Sequence, residues 1–274
     1  MANKVFYKDK LMEMIDNHLI ELKSNKDSSV IFHDISESLL KKGKKIRPLI
    51  FLNMIESRSF EFDANVGCLA LSIEMLHCAS LIIDDLPSMD NDEMRRGEPT
   101  IHRKYGTKKA LVVANKLIFD ALKNIMRICD RECKLLILDQ LKDATLGQYF
   151  DITGVTNSDN EDLSDIINLK TAPFFNIAFI LAGFYNKEGY EDYIKMGNLF
   201  SGMFQICDDI EDYVKDLKKG HTMNHSILMG REKSLDMYLS RRRDFIKCLQ
   251  DNKIYLPYFI YLIELLDNKL GLDL

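Results

Sequence analysis

The feature that most limits what this chain can fold into is the rhythm of its apolar residues. They recur at three- and four-residue intervals, and no strand-and-hairpin pattern competes over any length. Val66, Leu69, Ala70, Ile73, Leu76 and Cys78 follow that spacing. So do Leu135, Leu136, Leu138, Leu141, Ala144 and Thr145, and later the stretch Ile254–Leu266. Only 5 prolines and 13 glycines punctuate 274 residues, and no internal repeat is visible. The expected fold is all-α: one domain over residues 1–274, a single large bundle of about ten helices. Several of them are apolar over more than one face, because a large bundle buries its central members. "NSDNEDLSD" (Asn157–Asp165) is the clearest surface loop, with Asn, Ser and Asp ready to cap the next helix.

Composition narrows the function classes. With 46% hydrophobic residues the chain can bury a substantial core, and a net charge of −5 argues against a general nucleic-acid binder. The one dense basic run, Arg241–Arg243, fits a solvated helix face. The six cysteines (68, 78, 129, 133, 207 and 248) are scattered. Cys129 and Cys133 form a CxxxC on one helical face, without a second pair to complete a zinc site. Reduced thiols in a cytoplasmic protein are expected. The start "MANKVFYKDKLMEMIDNHL" lacks a secretory apolar region. The longest apolar run, Pro173–Tyr185, is too short to span a bilayer and carries Asn176, so no membrane span is expected.

Two acid clusters stand out. "LIIDDLPSMDNDEMRRGEPT" (Leu81–Thr100) crowds Asp84, Asp85, Asp90, Asp92 and Glu93 just ahead of paired arginines. In "FSGMFQICDDIEDYVKDLKK" (Phe200–Lys219), Asp208 and Asp212 lie one turn apart with Asp209 beside them, among Phe204, Ile206, Cys207 and Ile210. Like charges at that spacing cost about 0.2–0.5 kcal/mol per pair unless a cation sits between them. A solvated face would be more evenly polar. Two oxygen-only clusters on apolar helices suit Mg²⁺, which takes carboxylates, water and substrate phosphates. An EF-hand fits "DNDEMRRGEPTI" poorly, since its turn glycine and final glutamate are missing. Arginines beside such a site imply a bound anion, because guanidinium matches phosphate bidentately. Asp90 follows Asp84 by six residues, about 240° around an ideal helix. The two can share a metal only if the chain breaks between them, and Pro87 within "LPSM" supplies the break. Asp92 and Glu93 are then peripheral and solvated.

Further motifs give a family resemblance. "GKKIRP" (Gly43–Pro48), "DDLPSMD" (Asp84–Asp90) with "RRG" (Arg95–Gly97), "GQYFD" (Gly147–Asp151), "KT" (Lys170–Thr171) and "FQICDDIED" (Phe204–Asp212) stand in order. Over roughly residues 40 to 235 the chain resembles the trans-isoprenyl diphosphate synthases, the short-chain polyprenyl synthetases that make farnesyl and geranylgeranyl diphosphate. The resemblance implies a helical fold around a deep central cavity, a homodimer, and Mg²⁺ as cofactor, three ions when diphosphate is bound. It implies metal held by Asp84, Asp90, Asp208 and Asp212, with Asp85 and Asp209 supporting. Arg95 and metal stabilise the departing allylic diphosphate, while Lys44, Arg47, His77 and Arg96 hold isopentenyl diphosphate. Lys170, Thr171 and Gln205 line the position of the allylic cation, and the released diphosphate takes the final proton.

Each residue also has a plainer reading. Lys44 and Arg47 fit a basic helix start before Pro48, His77 a core histidine bonded to a carbonyl, Gln148 and Asp151 a helix-surface pair. Lys170–Thr171 before Pro173 fits a helix irregularity. The chain departs from the family pattern as well. Ile83 stands where histidine is usual, Asn115 where an aspartate is expected, and the segment after Asp212 is short. Thr222 takes the place of a lysine, for which Lys215, Lys218 or Lys219 are substitutes. Ala79, five residues before the first aspartate, and Ser80 are small, which favours a C20 product. Phe119 and Leu122 are alternative floors for the growing chain. Two other functions fit part of the pattern: a non-catalytic subunit of a prenyl synthase, and a terpene cyclase. Intact aspartate motifs argue against the first, and a second diphosphate site (Lys44, Arg47, Arg96) against the other.

Overall fold

The computed structural model describes residues 6–24, 40–56, 63–153, 163–219, 224–254 and 256–272. Among them are eleven helices: α1 (Phe6–Ser24), α2 (Ile46–Glu56), α3 (Ala64–Asp84), α4 (Ile101–Tyr105), α5 (Thr107–Ile128), α6 (Arg131–Thr153), α7 (Leu163–Asn186), α8 (Tyr190–Lys219), α9 (His225–Met229), α10 (Arg231–Asp251) and α11 (Pro257–Leu270). The all-α expectation holds. One small antiparallel ribbon was not legible, because strands of two residues have no periodicity. It pairs β1 (Met94–Arg95) with β2 (Glu98–Pro99), Met94 opposite Pro99 and Arg95 opposite Glu98. Its turn, Arg96–Gly97, takes φ +53° and +79°, the left-handed pair that a two-residue hairpin requires.

The described residues fall into two compact units, residues 1–52 with 60–130, and residues 53–59 with 131–274. In the first, α3 packs along α5 and α1 lies against α3. Asp63 starts α3: its Oδ1 accepts from the Val66 amide at 2.8 Å, filling one of the donors left open at a helix N-terminus. Among the described residues α3 is the one helix long and apolar enough to cross a membrane, yet 72% of its apolar window is buried within the protein. It even carries a charge inside, since buried Glu74 accepts from the buried Lys45 ammonium at 2.9 Å.

In the second unit α8 is central, packed against α7, α9, α10 and α11. Phe200 of α8 meets Phe175 of α7 at 5.2 Å and Phe245 of α10 at 5.5 Å, and Phe245 meets Phe259 of α11 at 5.6 Å between ring centres. These tilted and edge contacts are the favoured aromatic geometry. α11 starts at Pro257, so Ile254, expected inside a helix, is buried just ahead of it. The CxxxC is likewise divided: Cys129 ends α5 in an extended conformation and Cys133 lies in α6. None of the six cysteines is disulfide-bonded. Part of the expected loop Asn157–Asp165, and Thr222, lie outside the described residues.

α6 and α7 approach closely at Gly147. A Cβ there would stand 2.4 Å from the Lys170 nitrogen and 2.8 Å from the Leu169 carbonyl oxygen. Pro173, inside α7, lacks the N–H that would otherwise occupy that carbonyl. The substitution Gly147→Ala should therefore force backbone apart and cost about 1–3 kcal/mol of stability, measured by urea denaturation. An unchanged midpoint would show that the helices separate freely there.

Candidate functional site: two aspartate motifs

The first motif is built where α3 stops. Asp84 is its last residue, and the Asp90 amide returns to donate to the Asp84 carbonyl at 2.9 Å. Leu86 anchors the bulge by accepting from Met89 at 2.9 Å and Asn91 at 3.1 Å. The break expected around Pro87 is thus present, and it brings Asp90 back to the helix end. Asp84 is half-buried and Asp90 exposed. Asp85 turns the other way: it is buried, and Arg95 Nε donates to its Oδ1 at 2.6 Å. Burial lifts the Asp85 carboxyl above the usual range, against the opposing pull of Arg95. Asp92 reaches only the edge of Arg95, at 3.8 Å, and Glu93 pairs with Arg103 at the surface.

Cations gather on the same unit. Arg47 Nη1 lies 3.4 Å from His77 Nε2. Arginine can only donate, so that ring nitrogen accepts. His77 is only partly exposed; its enclosure first, then the charges of Arg47, Arg96, Lys45 and Arg95, hold the imidazole well below its ordinary pKa. Arg96 folds over the loop before α2, donating to the Lys42 carbonyl at 3.0 Å. Gly43 makes room for it: at φ +93°, a Cβ there would stand 2.3 Å from Arg96 Nη1. Lys44 is exposed, while its neighbour Lys45 is buried and also donates to the Lys42 carbonyl. Arg47, His77, Arg95 and Arg96 are therefore brought together, and Lys45 joins them. Sequence spacing gave no reason to prefer Lys45, because its inward turn comes from an unusual φ of +57°.

The second motif lies on α8 and divides its aspartates in the same way. Asp209 is buried. Its Oδ2 accepts from the His225 amide at 2.9 Å and lies 2.6 Å from His225 Nδ1, while its Oδ1 accepts from Gln205 at 2.7 Å. Gln205 in turn accepts from Thr171 at 2.6 Å, and Lys170 pairs with Asp151 at 2.6 Å. Asn224 locks the corner: its Oδ1 caps α9 at Ser226, and its Nδ2 donates to the Asp209 carbonyl at 3.0 Å. Asp208 is partly exposed, its carboxyl raised by burial. Asp212 pairs with Lys215 at 3.2 Å, while Lys218 is exposed.

The lysine that approaches Asp208 comes from elsewhere. Lys269 of α11 stands 3.2 Å from Asp208 Oδ1 and also pairs with Glu211. Burial works against its charge, but Glu211 and Asp208 outweigh this and raise its pKa. Nothing in the sequence marks it, because 61 residues separate it from Asp208. Among the described residues, no three His, Cys, Asp or Glu side chains converge into a protein-only metal cage. The side-chain donors of both aspartate motifs are hard carboxylate oxygens, the type that Mg²⁺ prefers.

A family model described as polyprenyl synthetase matches residues 29–225, which span parts of both units. The chain is 32% identical over 225 residues to the trans-prenyltransferase of African swine fever virus, covering 79% of this chain and 69% of the relative. It is 30% identical over 279 residues to the farnesyl diphosphate synthase of Micrococcus luteus, covering 92% and 95%. Among solved structures, the geranyltranstransferase of Thermotoga maritima superposes with a TM-score of 0.82 at 25% identity, covering 95% and 96%. The fold and the motifs define a prenyltransferase. The chain belongs to the polyprenyl synthetase family, the trans-isoprenyl diphosphate synthases.

The neutral His77 has a consequence for pH. The unfolded chain protonates this imidazole near 6.5, the folded protein only well below that. Its contribution is full above pH 6.5 and is lost as pH falls through the folded value. His77→Gln should therefore flatten the fall in melting temperature between pH 7 and about 5; an identical fall in both proteins would contradict the assignment.

Proposed function

We propose that this protein is a Mg²⁺-dependent prenyl diphosphate synthase that condenses isopentenyl diphosphate with an allylic diphosphate to give a C20 product, geranylgeranyl diphosphate. The observation that carries this reading is the company kept by α3. Its C-terminal end presents Asp84 and the returned Asp90, and Arg47, Arg96, Lys45 and Arg95 surround the neutral His77 beside it. A pair of partly open carboxylates next to a cluster of cations suits substrates that carry two phosphates each.

Asp84 and Asp90 in the first motif, and Asp208 and Asp212 in the second, would hold Mg²⁺ for the allylic diphosphate. When bound, the metal supplies positive charge against the leaving oxygen. Asp85 and Asp209 act behind them, orienting Arg95 and Gln205. Arg95 stabilises the charge that grows on the departing diphosphate as the allylic C–O bond breaks. Lys44, Arg47, His77 and Arg96 hold isopentenyl diphosphate, whose double bond attacks the allylic carbon. Thr171 and Gln205 present oxygens to the cation, with Lys170 close to the leaving group. The released diphosphate accepts the proton lost as the new double bond forms.

The C20 assignment rests on small side chains ahead of Asp84. Ala79 is fully buried, and Ser80 is the member of the pair that reaches the partly open face of α3 with His77, Leu81 and Asp84. Phe119, at 67% exposure, packs into no interior of its own unit. A homodimer would cover such residues: Val112, Phe119 and Met126 of α5, and Leu135, Leu138, Leu146 and Tyr149 of α6, are all exposed. Unbridged thiols fit the cytoplasm as compartment.

Incubation with isopentenyl diphosphate, Mg²⁺ and C5, C10 or C15 primers, followed by chromatography, tests the proposal. The expected product is C20. Elongation that stops at C15 makes this a farnesyl diphosphate synthase, and no elongation from any primer contradicts catalysis and leaves the role of a regulatory subunit. Asp84→Asn and Asp208→Asn should lower the rate on the order of 100-fold or more, while Glu93→Gln leaves it within about twofold.

A further inference from the structure

Lys269 does more than decorate a helix end. A basic residue in the last turn of a helix normally faces water and favours the dipole by a small margin. Lys269 is instead only 25% exposed at its side chain and is held between two carboxylates of another helix. Its position is fixed from behind. Asp267, two residues earlier, accepts from the Tyr238 hydroxyl at 2.7 Å and from Arg242 at 2.9 to 3.1 Å, which pins α11 to α10. Phe259, Leu262, Ile263 and Leu266 bury the inner face of α11. With the helix so anchored, the lysine stem can deliver its ammonium only to a limited region, and that region holds Asp208 and Glu211, one turn apart on α8.

Asp208 is therefore claimed twice. Resting on the proposal that it is a metal-holding carboxylate, it must accept Mg²⁺; in the structure its Oδ1 already lies 3.2 Å from a cation belonging to the chain. We propose that Lys269 is a tethered counter-ion of the second aspartate motif, which occupies Asp208 in the absence of metal and has to yield it when metal binds. Glu211 makes this exchange feasible without stranding a charge. Lys269 keeps that partner when Asp208 is released, so the ammonium is never left unpaired in a partly buried position. The arrangement keeps Asp208 and Glu211 from repelling one another in the empty protein, and it weakens metal binding there until diphosphate adds its own oxygens to the site. Glu211, which the metal-ligand pattern leaves without a role, becomes the residue that retains the displaced lysine.

The test uses the full-length, metal-stripped protein with Mn²⁺ as the probe, free Mn²⁺ being read from its electron paramagnetic resonance signal. Without substrate, Lys269→Met should bind Mn²⁺ on the order of tenfold more tightly than the unsubstituted protein, because a nearby competing charge is gone. Lys269→Arg, which keeps the charge, should stay close to the unsubstituted affinity. Lys269→Gln serves if the methionine variant folds poorly by circular dichroism. Affinities within twofold of each other, weaker binding by Lys269→Met, or no uptake by either protein would overturn the proposal, since the lysine would then not be what withholds Asp208. A second arm adds inorganic diphosphate and compares the unsubstituted protein with Asp208→Asn. Loss of Mn²⁺–diphosphate binding in that variant upholds the metal reading by itself, so failure of the lysine's role and failure of the metal site are told apart.

Discussion

Both aspartate motifs depend on one kind of bond: a short, directional contact that takes the second aspartate of each adjacent pair out of solvent. Asp85 is drawn to Arg95 and Asp209 to His225 and Gln205, each at 2.6 to 2.7 Å. Removing a carboxylate from such a contact leaves its donors without their acceptor, which typically costs about 1–3 kcal/mol. Because these carboxylates are fixed inward, their neighbours Asp84 and Asp208 are left at the partly open surface. The same bonds position groups that face substrate in the proposed reaction. Asp85 orients Arg95, and Asp209 closes a chain through Gln205 to Thr171. In the proposed reaction each DD pair supplies one anchor and one candidate ligand rather than two equivalent ligands.

Local chemistry explains how so short a segment meets this demand. After Asp84 the helix cannot continue with Asp90 on the same side, so the chain bulges over Leu86 and comes back in six residues. It then turns again through Arg96 and Gly97, which delivers Arg95 to Asp85 and Arg96 to the loop at Gly43. Two tight turns thus place an anchor, two candidate ligands and two arginines within thirteen residues, Asp84 to Arg96. The second motif needs no turn, because residues 205, 208, 209 and 212 already lie within two turns of one helix. It needs a corner instead, supplied by Asn224, which caps α9 with its oxygen and ties the amide nitrogen to α8.

How much of this was legible followed from range and redundancy. Helical periodicity exposed α3 and α6, and the rotation between residues 84 and 90 required a break that is present. The grouping of Arg47, His77, Arg95 and Arg96 came only with the family resemblance. Lys45 was hidden because its burial depends on one unusual φ and on Glu74, 29 residues away. Lys269 was hidden for the same reason at longer range. The CxxxC misled because spacing alone cannot show that a helix ends at Cys129. The ribbon at Met94–Pro99 was too short to have a pattern.

The division of each pair into anchor and ligand is tested most directly by thermal melting of four single variants in metal-free buffer. Asp85→Asn and Asp209→Asn should melt lower by roughly 5 °C or more, because each takes the charged acceptor away from donors held at 2.6 to 2.7 Å. Asp84→Asn and Asp208→Asn should melt within about 2 °C of the unsubstituted protein, since both side chains are partly open to solvent and Lys269 keeps Glu211 when Asp208 loses its charge. If all four fall alike, or if the anchors are neutral while the ligands collapse, the division does not exist.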